Sequence, residues 1–446
     1  MGEGIPDDVM DALTDLAATV PLYYEDAYLR EFEATVLRVT EFRDRFYIVL
    51  DQTCFFPEGG GQPSDRGFIH SSKGKLRVMD VQSSNGVIVH IIENSKDLIS
   101  AGETVRGVID WDLRHNYMRQ HTASHIVHSA VRRVLDVEKL VYMGFQIGEE
   151  KSRMDINYGK PITPDQMHEI ERLSNQICLQ NRPVKARFTT RGEAEREYGD
   201  RLGVTEVTPT GRVRIVEIED WDAGLCCGTQ VKSTAEAAPI KVLGRLRLQK
   251  GVERIEFTAG EHAYKLFDEA VVTSLKLTEL FKVVPSDLLG RAGQLLTDME
   301  GLKNEMRRIK DLYVEAKALR LLGQAEPLGE FGLVTEILPS VDVETLRRIS
   351  LTAVSKNPSL IIILGGALEK AYIVGATGQK ATDKDIDMRE IITEAASIIH
   401  GSGGGTPKIA QAGGPEKGKL GEALSKCREK ATLKVIKRSE IESKLG

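Results

Sequence analysis

The sequence predicts an α+β multidomain protein: a small N-terminal β-barrel, an α+β domain, a long helical and coiled-coil segment, and a C-terminal α/β domain. Three observations carry that prediction. Short alternating apolar runs with turn residues fill the first part of the chain, a 3.5-residue apolar period follows Pro285, and strands alternate with helices from there to the end.

Residues 1–111 hold the runs F-E-A-T-V-L-R-V-T-E-F, R-F-Y-I-V-L-D, K-L-R-V-M-D-V and V-I-V-H-I-I-E, which read as strands of a barrel or sandwich. Residues 112–258 mix elements. A helix near Leu113 to Leu135 carries a cluster of histidines, and another spans roughly Pro164 to Gln180. The strands V-K-A-R-F-T and V-R-I-V-E-I-E follow, the second running into L-C-C-G-T-Q-V. Residues 259–323 are helical, with Ala263, Leu266, Phe267, Ala270, Ser274 and Leu277 on one stripe. Leu288, Ala292, Leu295, Met299, Leu302, Met306, Ile309, Tyr313 and Ala316 then alternate steps of four and three, a coiled-coil seam. That seam packs on the preceding helix as a hairpin or on a second chain as a homodimer, the reading preferred here. Residues 324–446 carry the strands F-G-L-V-T-E-I-L, S-L-I-I-I-L-G-G and K-A-Y-I-V-G-A-T, then a helix leading into a glycine-rich stretch.

Composition narrows the function. With 41% hydrophobic and 28% charged residues the chain is an ordinary globular one. No apolar run approaches the ~18 residues that cross a bilayer, and the acidic start differs from a secretory signal, so no membrane partner is expected. Five cysteines, an odd and low count, argue for a reducing cytoplasm rather than a disulfide framework. The net charge of −6 argues against indiscriminate nucleic-acid binding. From Gly405 onward, however, ten Lys or Arg stand against five Glu, a basic face suited to a specific polyanion.

His121 and His125 are spaced i,i+4, so a helix points both rings at one ion, with His128 on almost the same face and His115 upstream. Cys226 ends a strand between Gly224 and Gly228, which let the backbone turn its side chain inward. Neutral imidazole and thiolate are zinc ligands, and three of them with an open position describe one catalytic zinc ion per chain. The second signal is Gly59, Gly60 and Gly61 followed by Gln62. Without a P-loop lysine this strand does not suit a triphosphate, but it can lie flat beneath a small substrate group.

H-T-A-S-H, F-F-P-E-G-G-G-Q-P-S-D-R-G and C-C-G-T-Q-V together resemble the editing domain of alanyl-tRNA synthetases and of free-standing alanyl-tRNA editing proteins, the AlaX group. Q-I-G-E-E-K-S-R-M-D-I resembles the family strand that brings a glutamine, here Gln146, towards the metal. G-S-G-G-G-T-P-K-I-A-Q-A-G-G resembles the RNA-binding domain shared with DHH-type phosphoesterases. The resemblance covers nearly the whole chain. The family's aminoacylation domain would precede residue 1, so the expected protein is the long form of a trans-acting editor. It would hydrolyse alanine tRNA wrongly charged with serine, and with glycine.

The resemblance assigns His121, His125 and Cys226 to the metal. Gln230 stands where the family has histidine, which leaves Gln230, Cys227 or no protein group as fourth ligand. Gln146, Thr122 and Ser124 are the expected catalytic residues, and the glycine strand with Gln62 the substrate-binding one. In the C-terminal domain Gly403, Gly404, Gly405, Lys408, Gly413, Gly414, Lys417 and Lys419 are expected to meet tRNA. The competing readings are a tRNA-binding protein with an inactive editing domain and, behind it, a nucleotide or RNA phosphoesterase, whose Asp-His-His metal motif the sequence lacks.

Overall fold

The structure, a computed structural model, describes residues 4–93, 98–137, 140–199, 202–205 and 211–445. The chain forms two compact units, Met1–Leu280 and Phe281–Gly446. It is a mixed α+β multidomain protein.

The first unit opens with β1 (Glu31–Phe42), β2 (Arg45–Leu50), β3 (Gly67–His70), β4 (Lys75–Ser84), β5 (Val87–Glu93) and β6 (Thr104–Ile109). They close an antiparallel barrel in the order β1-β2-β5-β4-β3-β6. Alternation along each strand sends Val36, Ile48, Ile69, Val78 and Ile92 inward, where Phe55 and Phe56 complete the filling.

Asp110 then caps helix α1 (Trp111–Val134), its carboxylate accepting from the Leu113 amide at 3.2 Å. From Gln120 to Val131 every residue of α1 is buried, polar residues included. Near its start, Arg114 reaches back to Asp65 at the end of the glycine segment. Nε donates to Oδ1 at 2.9 Å, and Nη1 and Nη2 reach the Ala27 and Cys54 carbonyls at 3.0 and 2.5 Å. Asp65 in turn accepts from the Phe56 amide at 2.6 Å. Arg114 and Asp65 are both fully buried, and they fasten the glycine segment to the helix of histidines.

The second layer is an eight-stranded sheet. Its strands are β7 (Val141–Gln146), β8 (Ser152–Asn157), β9 (Val184–Thr190), β10 (Leu202–Thr205), β11 (Arg212–Ile218), β12 (Asp222–Leu225), β13 (Ile240–Gln249) and β14 (Val252–Ala259). They lie in the order β9-β11-β12-β10-β7-β8-β14-β13. Helix α1 packs against this sheet with α2 (Pro164–Leu179) through Ile126, Val127, Ala130, Ile170, Ile177, Ile255 and Phe257. A short α3 (Arg191–Tyr198) covers Val213 and Ile215 on the other face. Two helices follow, α4 (Glu261–Phe281) and, in the second unit, α5 (Leu288–Leu322). Of α5 only Val314, Ala318 and Leu321 are buried, while Leu295, Met299, Leu302, Met306, Ile309 and Tyr313 of the expected seam are exposed.

The rest of the second unit is a six-stranded sheet of β15 (Glu326–Leu328), β16 (Phe331–Ile337), β17 (Leu360–Gly366), β18 (Ala371–Thr377), β19 (Ser402–Gly405) and β20 (Ile409–Gly414). The order is β15-β16-β17-β18-β20-β19, and only β16 and β17 run parallel, joined across α6 (Val343–Lys356). Strand alternation gives two cores. Ile362, Leu364 and Val374 face α6, whereas Ile361, Ile363 and Ile373 face α7 (Met388–Ile398) and α8 (Leu420–Leu445).

Part of the basic tail is engaged in ion pairs. On α8, Lys426, Arg428, Lys430, Lys434 and Arg438 pair with Glu429, Glu326, Glu394, Glu390 and Asp385 of the same unit. Four of these pairs tie α8 to the rest of the unit, the Lys426–Glu429 pair lies within the helix, and the side chain of Lys444 lies outside the described residues. Among the described residues no helix is long and apolar enough to cross a membrane.

Candidate metal centre and active site

Helix α1 and the end of β12 bring His121, His125 and Cys226 together, with their ligand atoms all within 4.8 Å of one another. The strand period explains the third member. Asp222, Gly224 and Cys226 fall on one face of β12, towards α1. Gly228 follows in the loop, and a Cβ there would collide with the His121 ring, so a side chain at this position would displace a ligand.

Each imidazole is fixed by a partner behind it. The Thr229 amide donates to Gln62 Oε1 at 3.1 Å, which makes that oxygen an acceptor; His121 Nδ1, 2.8 Å from it, therefore carries the proton. The lone pair of His121 is left on Nε2, 3.2 Å from the Cys226 sulfur. His125 Nδ1 lies 2.8 Å from Asp222 Oδ2, which frees its Nε2 in the same way. The Ser129 hydroxyl donates to Asp222 Oδ1 at 2.6 Å, and His128 Nδ1 lies 3.8 Å from that oxygen. Two hydrogen-bonded rings, each with a free nitrogen turned to one thiolate, fit a divalent zinc ion.

The electrostatics agree. Burial works against the Cys226 thiolate, but His121 and His125 outweigh it and hold the thiol well below its usual range. Burial also opposes charge on His125, yet Asp222 and Cys226 raise it to about 10. Asp222 stays ionised despite burial because His125 and His128 hold its carboxyl far down. A metal ion would displace the His125 proton, so affinity should rise with pH. Replacing Asp222 with Asn should weaken zinc binding by about 10- to 100-fold, read by competition with a chelating dye, while the fold persists.

The ligands open onto a cavity of about 250 Å³ lined also by Gly60, Ser124, His128, Phe145, Leu225 and Cys227. Gly60 has φ +57°, and a Cβ there would lie 2.5 Å from the Cys227 sulfur, so glycine and thiol form one wall. Burial first, then the neighbouring Cys226 charge, raises Cys227 to about 11, which keeps it a neutral thiol.

Several sequence expectations meet a different geometry. Gln146 is exposed and accepts from Arg153 Nε at 3.0 Å; its strand neighbour Phe145 faces the cavity instead, because successive side chains alternate. Gln62 is fully buried behind His121, where it orients a ring rather than meeting a substrate. Gly59 and Gly61 flank the cavity without lining it. Thr122 is buried too, donating to Gln230 Oε1 at 2.7 Å, and Gln230 Nε2 faces the Cys226 sulfur at 3.4 Å. Gln230 thus turns its amide nitrogen, not its oxygen, towards the thiolate. Ser124 lines the cavity while donating to the His121 carbonyl at 2.6 Å. Asp222 was missed, although D-A-G-L-C places it two alternations before the cysteine.

The second unit carries a larger groove of about 680 Å³ over β18, β19 and β20. Gly403, Gly404, Gly405 and Gly413 line it, joined by Arg347, Lys370 and Tyr372, which the sequence reading did not single out. Gly414 is buried, and Lys408, Lys417 and Lys419 are exposed on the adjoining surface. Among the described residues Arg347, Lys370, Lys408 and Lys419 have no carboxylate partner, so the groove and its border keep their positive charge.

Fold and site define a class: an α+β multidomain protein with a two-imidazole, one-thiolate candidate metal centre held between a helix and the end of a strand. Three family profiles match, described as tRNA synthetases class II (A) over residues 8–113, threonyl and alanyl tRNA synthetase second additional domain over residues 213–256, and DHHA1 domain over residues 330–432. The alanine–tRNA ligase of Methanothermobacter thermautotrophicus is 34% identical across 94% of this chain and 45% of that protein. That of Pyrococcus abyssi is 35% identical across 93% and 44%. The chain spans less than half the length of these relatives. A crystal structure of the C-Ala domain of Aquifex aeolicus alanyl-tRNA synthetase aligns with 24% of this chain at 25% identity and a TM-score of 0.23, too low to bear on the fold. The chain is built of alanyl-tRNA synthetase-like domains and resembles the free-standing alanyl-tRNA editing proteins.

Proposed function

We propose that this protein is a trans-acting hydrolase that removes serine, and also glycine, from wrongly charged alanine tRNA at a zinc-centred site. The convergence of His121, His125 and Cys226 on a cavity of about 250 Å³ carries this reading. That volume suits a small aminoacyl group and excludes a folded nucleic acid. A zinc ion, when bound, would supply Lewis-acid polarisation to the ester or to water. Asp222 and Gln62 keep the Nδ1 protons of His125 and His121 in place, so both Nε2 atoms stay available. Phe145 and Cys227 confine the acyl group. Ser124 presents a hydroxyl able to reward a serine side chain, and alanine would leave that bond unmade.

In this reading residues 1–111 form the barrel domain, 112–258 the editing domain, 259–323 a dimerisation segment and 324–446 the tRNA-binding domain, all acting in the cytoplasm. Phosphates would meet the groove of Gly403, Arg347 and Lys370. Neutralising either cation should lower the slope of log affinity against log salt by about one. Filter binding of tRNA across a salt series measures it.

One observation favours a second reading, a tRNA-binding protein without catalysis: Gln230 stands beside Cys226 as a donor rather than a ligand. Zinc content and deacylation of seryl-tRNA, measured in one preparation, decide between the two. Zinc-free, inert protein that still binds tRNA supports the second.

A further inference from the structure

We propose that Tyr24, Phe188, Arg212 and Arg214 form a platform for the unpaired 3′ end of an RNA, laid directly against the cavity wall. The proposal rests on the hydrolase reading for its occupant. Strand β9 is the edge of the eight-stranded sheet, and Phe188 pairs with Arg214 on β11. Alternation sets Phe188, Arg212 and Arg214 on one face, while Val213 and Ile215 point to the other, beneath α3. Tyr24 meets Phe188 edge-on at 5.3 Å; Arg212 lies 4.7 Å over Phe188, and Arg214 5.1 Å over Tyr24.

The platform is continuous with the metal centre. Arg214 Nη1 donates to the carbonyls of Cys226 and Gly228, both at 2.9 Å, and the Cys226 amide donates to the Arg214 carbonyl at 3.0 Å. An aromatic surface that begins at the backbone of a ligand residue is well placed for whatever is covalently joined to the small group in the cavity.

Its chemistry fits nucleotides. Phe188 is 41% exposed on an edge strand, which is a liability unless something covers it. Among the described residues neither Arg212 nor Arg214 pairs with a carboxylate, whereas Arg187, on the opposite face, is paired with Glu197. The exposed Phe188 ring beside the Arg212 guanidinium suits an unpaired base stacking on the one and a phosphate meeting the other, while Arg214 ties the platform to the loop of Cys226.

The test uses the full chain and a short single-stranded RNA ending in CCA, followed by fluorescence anisotropy. Phe188→Ala and Arg212→Ala should each weaken binding by roughly tenfold, the scale of one lost base–aromatic contact. Zinc content should be unchanged, as should hydrolysis of a seryl ester of adenosine alone, which has no upstream nucleotide to lay on the platform. Wild-type affinity in both variants would overturn the platform, and so would equal losses on the RNA and on the short ester. Failure of the wild-type protein to cleave that ester counts against the hydrolase reading instead, and the binding result still judges the platform.

Discussion

Cys226→Ala should reduce deacylation of seryl-tRNA by about three orders of magnitude or more, the scale expected when several kcal/mol of metal-derived stabilisation leaves the transition state. The side chain contributes a sulfur facing His121 at 3.2 Å and little packing, while the loop is held by backbone bonds to Arg214 that alanine retains. The variant should therefore fold normally and lose zinc. Metal analysis, circular dichroism and turnover on one sample separate these effects. Normal turnover at normal zinc content would remove the thiolate from the chemistry.

Arg114→Leu should cost about 3–5 kcal/mol of stability, because it strands a buried carboxylate rather than merely deleting a contact. Burial already pushes Asp65 upward, and Arg114 is the main group opposing that push. Both tryptophans, Trp111 and Trp221, lie in the first unit, so their fluorescence in a urea titration reports on the part that matters. The double variant Asp65→Leu with Arg114→Leu should be more stable than Arg114→Leu alone, since no charge is then left unpaired. A single variant within about 1 kcal/mol of wild type would show that the pair does not fasten the glycine segment.

What sequence could disclose follows from range. The helix of histidines shows in a periodic pattern, and the strand running into Cys226 shows in alternation, because both signals are local. His121, His125 and Cys226 combine a local spacing with one long-range partner of matching ligand chemistry. The roles of Gln62 and Gln146 depended on which way a side chain leaves a strand or loop, which spacing does not fix. Gln62 is turned inward by Thr229, 167 residues away. Gln146 is turned outward by simple alternation beside Phe145. A count of charge misleads for a related reason: four cations on α8 are answered by carboxylates elsewhere in the fold and Lys426 by Glu429 of the same helix, while Arg347 and Lys370, far from the tail in sequence, line the glycine groove.

X-ray absorption at the zinc edge of the reconstituted protein is the most direct measurement. Convergence of two rings and one thiolate predicts a single sulfur at ~2.3 Å with two imidazole nitrogens at ~2.0–2.1 Å, and any remaining position filled by a light atom. A spectrum with two or more sulfurs, with no histidine scattering, or with no stoichiometric zinc would contradict it.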